Sequence, residues 1–160
     1  MRDACSLVSK EEVESVQQTP VKDAKSSERS DGTFRISQCL YTAAEFSKSV
    51  NLSLIQTDPN EPSKRRPKDF WKEKFGAYEG NDHERNEQTG TKEEEEEKGP
   101  PPKKISGLGD VAFWVSNRFG GILYIRKGDD FISIGIGGTD DEDIKLEKSK
   151  ALAQKALQQL

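Results

Sequence analysis

A chain of 160 residues is long enough for one domain, or two very small ones, around a respectable core. With 31% hydrophobic against 34% charged residues, part of it is left outside any core. The net charge is -4, and the segment Ala77 to Lys104, with nine acidic against five basic residues, carries all of it. The remainder is formally neutral, which argues against nucleic acid as a partner, because phosphate binding needs clustered Lys and Arg.

Apolar runs of about 20 residues, as a membrane-spanning helix requires, do not occur. Met1-Arg2-Asp3-Ala4 is not a signal peptide, and Cys5 lacks the apolar stretch that would precede a lipidated cysteine. An exported form of this chain would therefore be the mature part behind an added or retained Met1.

Ser9-Lys10-Glu11-Glu12 fits a capping box, with Val8 and Val13 at the staple positions, and predicts a short helix from Lys10 to about Gln18 that stops before Pro20. A polar stretch follows, with a ragged strand around Val21 to Ser26. Thr33 to Thr42 alternates as a strand does, with Phe34, Ile36 and Leu40 on one face and Cys39 and Tyr41 on the other. Ser49 to Gln56 repeats the pattern, Val50, Leu52 and Leu54 opposing Asn51 and Ser53.

After Asp58-Pro59-Asn60-Glu61-Pro62, a helix is expected from Pro67 to Phe75, with Pro in its first turn and Gly76 as its stop. Phe70, Trp71 and Phe75 form its apolar side. From Glu79 to Lys104 the chain is mostly Gly, Asn, Glu, Lys and Pro, with five consecutive glutamates and Pro100-Pro101-Pro102. No core can be built there, and 79–104 reads as a disordered acidic insertion within a single domain spanning 1–160.

Leu108 to Ile136 carries the strongest β pattern. Val111 to Ser116, Ile122 to Arg126 and Phe131 to Ile136 read as a meander, with a loose turn from Ser116 to Gly121 and a type II′ turn at Gly128-Asp129. A final helix follows from about Asp140 to Gln159, its acidic first turn complementing the helix dipole. Leu146, Ser149, Ala153, Ala156, Leu157 and Leu160 form its stripe. The fold class is α+β: a six-stranded antiparallel sheet built from two helix-plus-three-strand halves, with helices packed on one or both faces.

Few residues suggest chemistry. His83 is the sole histidine and lies in the insertion, which sets aside Ser-His-Asp and Cys-His catalysis and most zinc hydrolysis. Gly135, Gly137 and Gly138 before a helix resemble a phosphate cradle, but Asp140, Asp141, Glu142 and Asp143 occupy the place of the anion. The same acids lack the spacing and internal glycine of a calcium loop. Lys64-Arg65-Arg66-Pro67-Lys68 is a basic cluster best read as a solvated loop, with an anionic membrane surface or acidic partner as the other reading. No catalytic residue, metal ligand or cofactor site is assigned.

Trp71, Ala112, Trp114 and Tyr124 are the candidates for a binding surface: a shallow apolar platform forms if Trp114 and Tyr124 fall on the sheet face away from the helices. Cys5 and Cys39 stand where an N-terminal element could be pinned to a strand. They are either a disulfide closing a loop of about 35 residues or two buried free thiols, and two cysteines with one histidine do not complete a structural zinc shell.

Asp3-Ala4-Cys5-Ser6-Leu7-Val8-Ser9-Lys10-Glu11-Glu12-Val13, Ser37-Gln38-Cys39-Leu40-Tyr41 and Gly107-Leu108-Gly109-Asp110-Val111-Ala112-Phe113 together resemble a group of bacterial exported proteins, many of them lipoproteins or extracytoplasmic sensor-like domains. The resemblance implies a Cys5–Cys39 disulfide and a periplasmic or cell-surface location, with peripheral association with the cell envelope. It implies no catalytic residues. The expected function is a non-enzymatic binding or protein-interaction domain whose partner is a protein or a small apolar ligand. The alternative is a small-molecule or lipid carrier, which would need a closed pocket lined by Phe70, Trp71 and Trp114.

Overall fold

The computed structural model describes residues 3–30, 34–57, 66–76, 102–117, 120–138 and 140–160. A 3-10 turn, Ala4–Ser6, leads into α1 (Lys10–Gln17). The capping box is complete: Ser9 Oγ accepts from the Glu12 amide at 3.1 Å, and the Ser9 amide donates to Glu12 Oε1 at 2.8 Å. Gln18 ends the helix in the left-handed region, φ 54°.

There follow β1 (Val21–Ser30), β2 (Phe34–Ala43), β3 (Val50–Thr57), α2 (Pro67–Phe75), β4 (Lys103–Ile105), β5 (Val111–Asn117), β6 (Gly120–Lys127), β7 (Asp130–Ile136) and α3 (Glu142–Gln158). The strands form one antiparallel sheet in the order β1-β2-β3-β7-β6-β5-β4. Two meanders, β1-β2-β3 and β5-β6-β7, are thus joined through their last strands, Leu52 pairing with Ile134 at the seam.

Among the described residues the sheet has seven strands, not six. The extra one, β4, occupies the end of the stretch expected to be an unstructured insertion; Lys103 pairs with Trp114 and Ile105 with Ala112. Ile105 is buried, and it supplies the apolar contact that the preceding glutamates cannot. The rest of that insertion down to Pro101, with His83, and Lys64 and Arg65 of the basic cluster lie outside the described residues. β1 is also longer than the ragged piece expected, because its ladder with β2 runs on to Ser30↔Arg35 and overrides the weak strand propensity of Lys, Ser and Glu. β5 and β6 pair as far as Asn117 and Gly120, inside the stretch from Ser116 to Gly121 expected as a loose turn, and residues 118–119 lie outside the described residues.

Alternation divides the core. On one face Cys39, Tyr41, Val50, Leu52, Leu54, Leu123, Ile125, Ile132 and Ile134 are buried under α1 and α3. On the other, Phe113 and Phe131 are buried under Trp71 and Phe75 of α2, and Phe34 stacks on Phe70 with centroids 5.9 Å apart. Helices therefore cover both faces. The buried side of α3 is Lys145, Ser149, Leu152, Ala153 and Ala156, a stripe at helical spacing rotated slightly from the expected one, so that Leu146 and Leu157 fall at its margin.

Two anchors fix the helices on the sheet. Cys5 and Cys39 are joined as a disulfide, Cα atoms 5.0 Å apart, tying the N-terminal turn to β2. Gln17, fully buried, donates through Nε2 to the carbonyls of Lys48 at 2.8 Å and Gly137 at 3.1 Å, and its amide oxygen accepts from Lys148 Nζ at 3.1 Å. Gly137 is needed at that junction, because a Cβ there would stand 2.1 Å from the Ser47 carbonyl oxygen.

Candidate functional site

The four residues expected to form a platform do not meet. β5 and β6 pair in the register Phe113↔Tyr124 and Trp114↔Leu123, so Trp114 and Tyr124 project from opposite faces of the sheet. Trp114 and Ala112 are buried on the α1/α3 face. The indole lies across Gly121, where a Cβ would come within 2.5 Å of the ring, and its Nε1 donates to Glu142 at 2.6 Å. Ser116 Oγ donates to the same carboxylate. These two hydrogen bonds, the Ser116 bond foremost, hold the Glu142 carboxyl below its ordinary value. Trp114 is thus a strap between β5 and the first turn of α3.

Trp71 is fully buried among Phe75, Phe131 and Phe113, with centroids at 4.6, 5.0 and 6.0 Å. Tyr124 is half-buried at the rim of this cluster, 5.2 Å from Phe75, with Lys74 Nζ 5.0 Å over its ring. Burial raises its phenol above the ordinary value. Phe70 and Trp71 are on one face and Trp114 on the other, so the three cannot line one pocket. Under α1, the interstice between Val8, Val13, Tyr41, Leu52, Ile134 and Leu152 is too tight for a water molecule.

Two other surfaces stand out. The first follows from the length of α2, whose nine residues cover only part of their face. Its aromatic side chains end over Ile55, Phe131, Phe113 and Tyr124. Beyond them a row runs across four strands: Leu40 opposite Asn51, Asn51 opposite Gly135, Gly135 opposite Ile122. Leu40 is 41% exposed although its strand is internal to the sheet. Asn51 is exposed, Ile122 is half-buried, and among the described residues no neighbouring atom lies within 4 Å of the place where a Cβ on Gly135 would be. The adjacent row, Gln38, Ser53 and Ser133, is half-buried, with Gln38 Nε2 donating to Ser53 Oγ at 3.3 Å. These seven positions carry no charge, in a chain of which 34% is charged.

The second is a shallow groove of about 420 Å³ between α1 and α3, lined by Val16, Ile144 and Ala151 and edged by Asp143, Glu147 and Lys148. Ile144 is 46% exposed.

The shifted titratable groups belong to neither surface. Tyr41 is raised by burial and then by the Glu12 and Asp3 carboxylates, and its hydroxyl donates to the Val8 carbonyl. Asp140 is lowered mainly by its hydrogen bond from Lys148. Arg66 of the basic cluster pairs with Asp129 at 2.7 Å. Among the described residues no three His, Cys, Asp or Glu side chains gather as metal ligands would, and no helix is long and apolar enough to cross a membrane.

The sequence contained the alternation that places Leu40 opposite Cys39, but not the reach of α2 that leaves Leu40 bare. Against this geometry, no protein family, no curated protein and no solved structure matches the chain.

Proposed function

We propose that this chain is an extracytoplasmic, non-enzymatic interaction domain, held by the Cys5–Cys39 disulfide, that binds a protein partner through the sheet face left open beside α2. The carrying observation is the uncharged Leu40–Asn51–Gly135–Ile122 row on internal strands. Protein interfaces are depleted of charge at their centre, and the seven positions of this flat face carry none. The disulfide supports an oxidising compartment. The tight interior under α1 favours a surface over the carrier reading.

Site-specific photocrosslinking tests this. A benzophenone side chain placed at Asn51 is expected to capture one discrete partner in cells exporting the protein. The same probe at Ile144 should not capture it, and Leu40→Arg should abolish the capture. Equal capture from both positions, or no effect of Leu40→Arg, removes the reading. Two free thiols in protein taken from an oxidising compartment would remove its disulfide part.

A further inference from the structure

β1 forms one edge of the sheet and is ten residues long, with all of Lys25–Ser30 exposed. Edges of this length invite pairing with another strand unless charge or irregularity blunts them. β1 has an irregularity only at its start, between Val21 and Asp23; from Asp23 to Ser30 its ladder is regular.

Charges of both signs lie along that stretch, and their order matters. Asp23, Lys25, Ser27 and Arg29 stand opposite Thr42, Leu40, Gln38 and Ile36 and so share the α2 face, while Ala24, Ser26 and Glu28 share the other. If two copies meet edge to edge across a two-fold axis, paired residues must come from the same face. This permits only registers that move by two residues at a time. Centred on Ser26, Asp23 falls opposite Arg29 of the second copy, twice by symmetry, and Lys25 falls opposite Ser27. Glu28, already paired with Arg35 of its own chain, falls opposite Ala24. Sliding by two residues one way sets Lys25 against itself; sliding the other way sets Lys25 against Arg29. The register centred on Ser26 lies between two that oppose like charges directly, and it opposes none.

We propose that the chain pairs with a second copy of itself through β1, antiparallel and centred on Ser26, extending one sheet through both copies. The Asp23–Arg29 pairs select the register, and backbone hydrogen bonds along Asp23–Arg29 supply the contact. The proposal is independent of the open-face reading, since β1 lies at the sheet edge and the uncharged row crosses its interior.

Sedimentation equilibrium of the full chain tests it. The wild type is expected to show a monomer–dimer equilibrium that weakens with added salt. Asp23→Arg alone and Arg29→Asp alone each place like charges opposite twice and should weaken the dimer by roughly tenfold or more. The double exchange, Asp23→Arg with Arg29→Asp, should restore it. All three variants change only exposed residues, and matching thermal unfolding will show that each is folded. A wild type monomeric at millimolar concentration, single variants that dimerise as the wild type does, or a double exchange that fails to recover overturns the proposal.

Discussion

The hydroxyl of Tyr41 donates to the carbonyl oxygen of Val8, so β2 holds the N-terminal segment at two points: covalently at Cys39 and by this hydrogen bond two residues later. A third tie is the Ala4 amide, which donates to the buried Ser37 hydroxyl at 2.8 Å. Ser37, Cys39 and Tyr41 alternate down one face of a strand, and the segment from Ala4 to Val8 lies along them.

The bonds in that set differ in size. Replacing Cys5 and Cys39 together by Ser should cost about 3–4 kcal/mol, because the closed loop spans 34 residues and its entropy returns to the unfolded chain. Tyr41→Phe should cost about 1–2 kcal/mol, since it leaves the Val8 carbonyl buried without its donor. Urea unfolding of both variants measures the order. A cysteine variant no less stable than the wild type would show that the hydrogen bonds alone hold the segment.

Tyr41 also sets an alkaline limit. In the fold its phenol resists ionisation because it is buried and faces Glu12 and Asp3, whereas in the unfolded chain it ionises near 10.0. The stability this confers is complete below pH 10.0 and is lost as pH rises beyond it, when only the unfolded state releases the proton readily. Tyr124, raised by burial, acts in the same sense. Unfolding midpoints of the wild type should fall between pH 10 and 12, and those of Tyr41→Phe should fall less steeply.

The acid side depends on α3. Glu142 and Asp140 both titrate below their ordinary values, so the stability they lend is present above pH 4.5 and 3.8 and drains away as pH falls. Protonation of Glu142 removes the charged acceptor from Trp114 Nε1 and Ser116 Oγ. Glu142→Gln should therefore flatten the acid limb of the stability curve, and Trp114 emission in the wild type should change as Glu142 titrates. An acid limb identical in the variant would place the loss elsewhere.

Much of this arrangement is written locally. The capping box at Ser9, the alternation of Phe34 to Tyr41 and the glycine turn at Gly128 are encoded in neighbouring residues, and the structure reproduces them. Legibility ended at long-range register. Trp114 and Tyr124 are ten residues apart on two strands, and only the pairing of β5 with β6 decides whether they share a face. Composition hid β4, since Lys103 and Lys104 read as part of the acidic insertion and only the docking of Ile105 beside Ala112 makes them a strand. The open row could not be inferred for the same reason: its exposure depends on where α2 comes to rest.

Two glycines two positions apart, Gly135 and Gly137, give the sharpest contrast between structural and surface positions. At Gly137 a Cβ would lie 2.1 Å from the Ser47 carbonyl oxygen and 3.2 Å from that of Ser49, and both are backbone atoms that cannot swing aside. The same junction carries the Gln17 amide, which bonds the Gly137 carbonyl and the Lys48 carbonyl. Gly137→Ala should thus push the Ser47–Ser49 backbone away, loosen Gln17 and cost about 2–3 kcal/mol. Gly135, two positions earlier, faces open space beside Asn51, so Gly135→Ala should change stability by less than about 0.5 kcal/mol and can gain from the better strand propensity of alanine. Because Gly135 lies in the uncharged row, Gly135→Ala supplies a folded variant altered only at that surface. Equal losses for the two substitutions in denaturant titration would mean that the face beside Asn51 is covered.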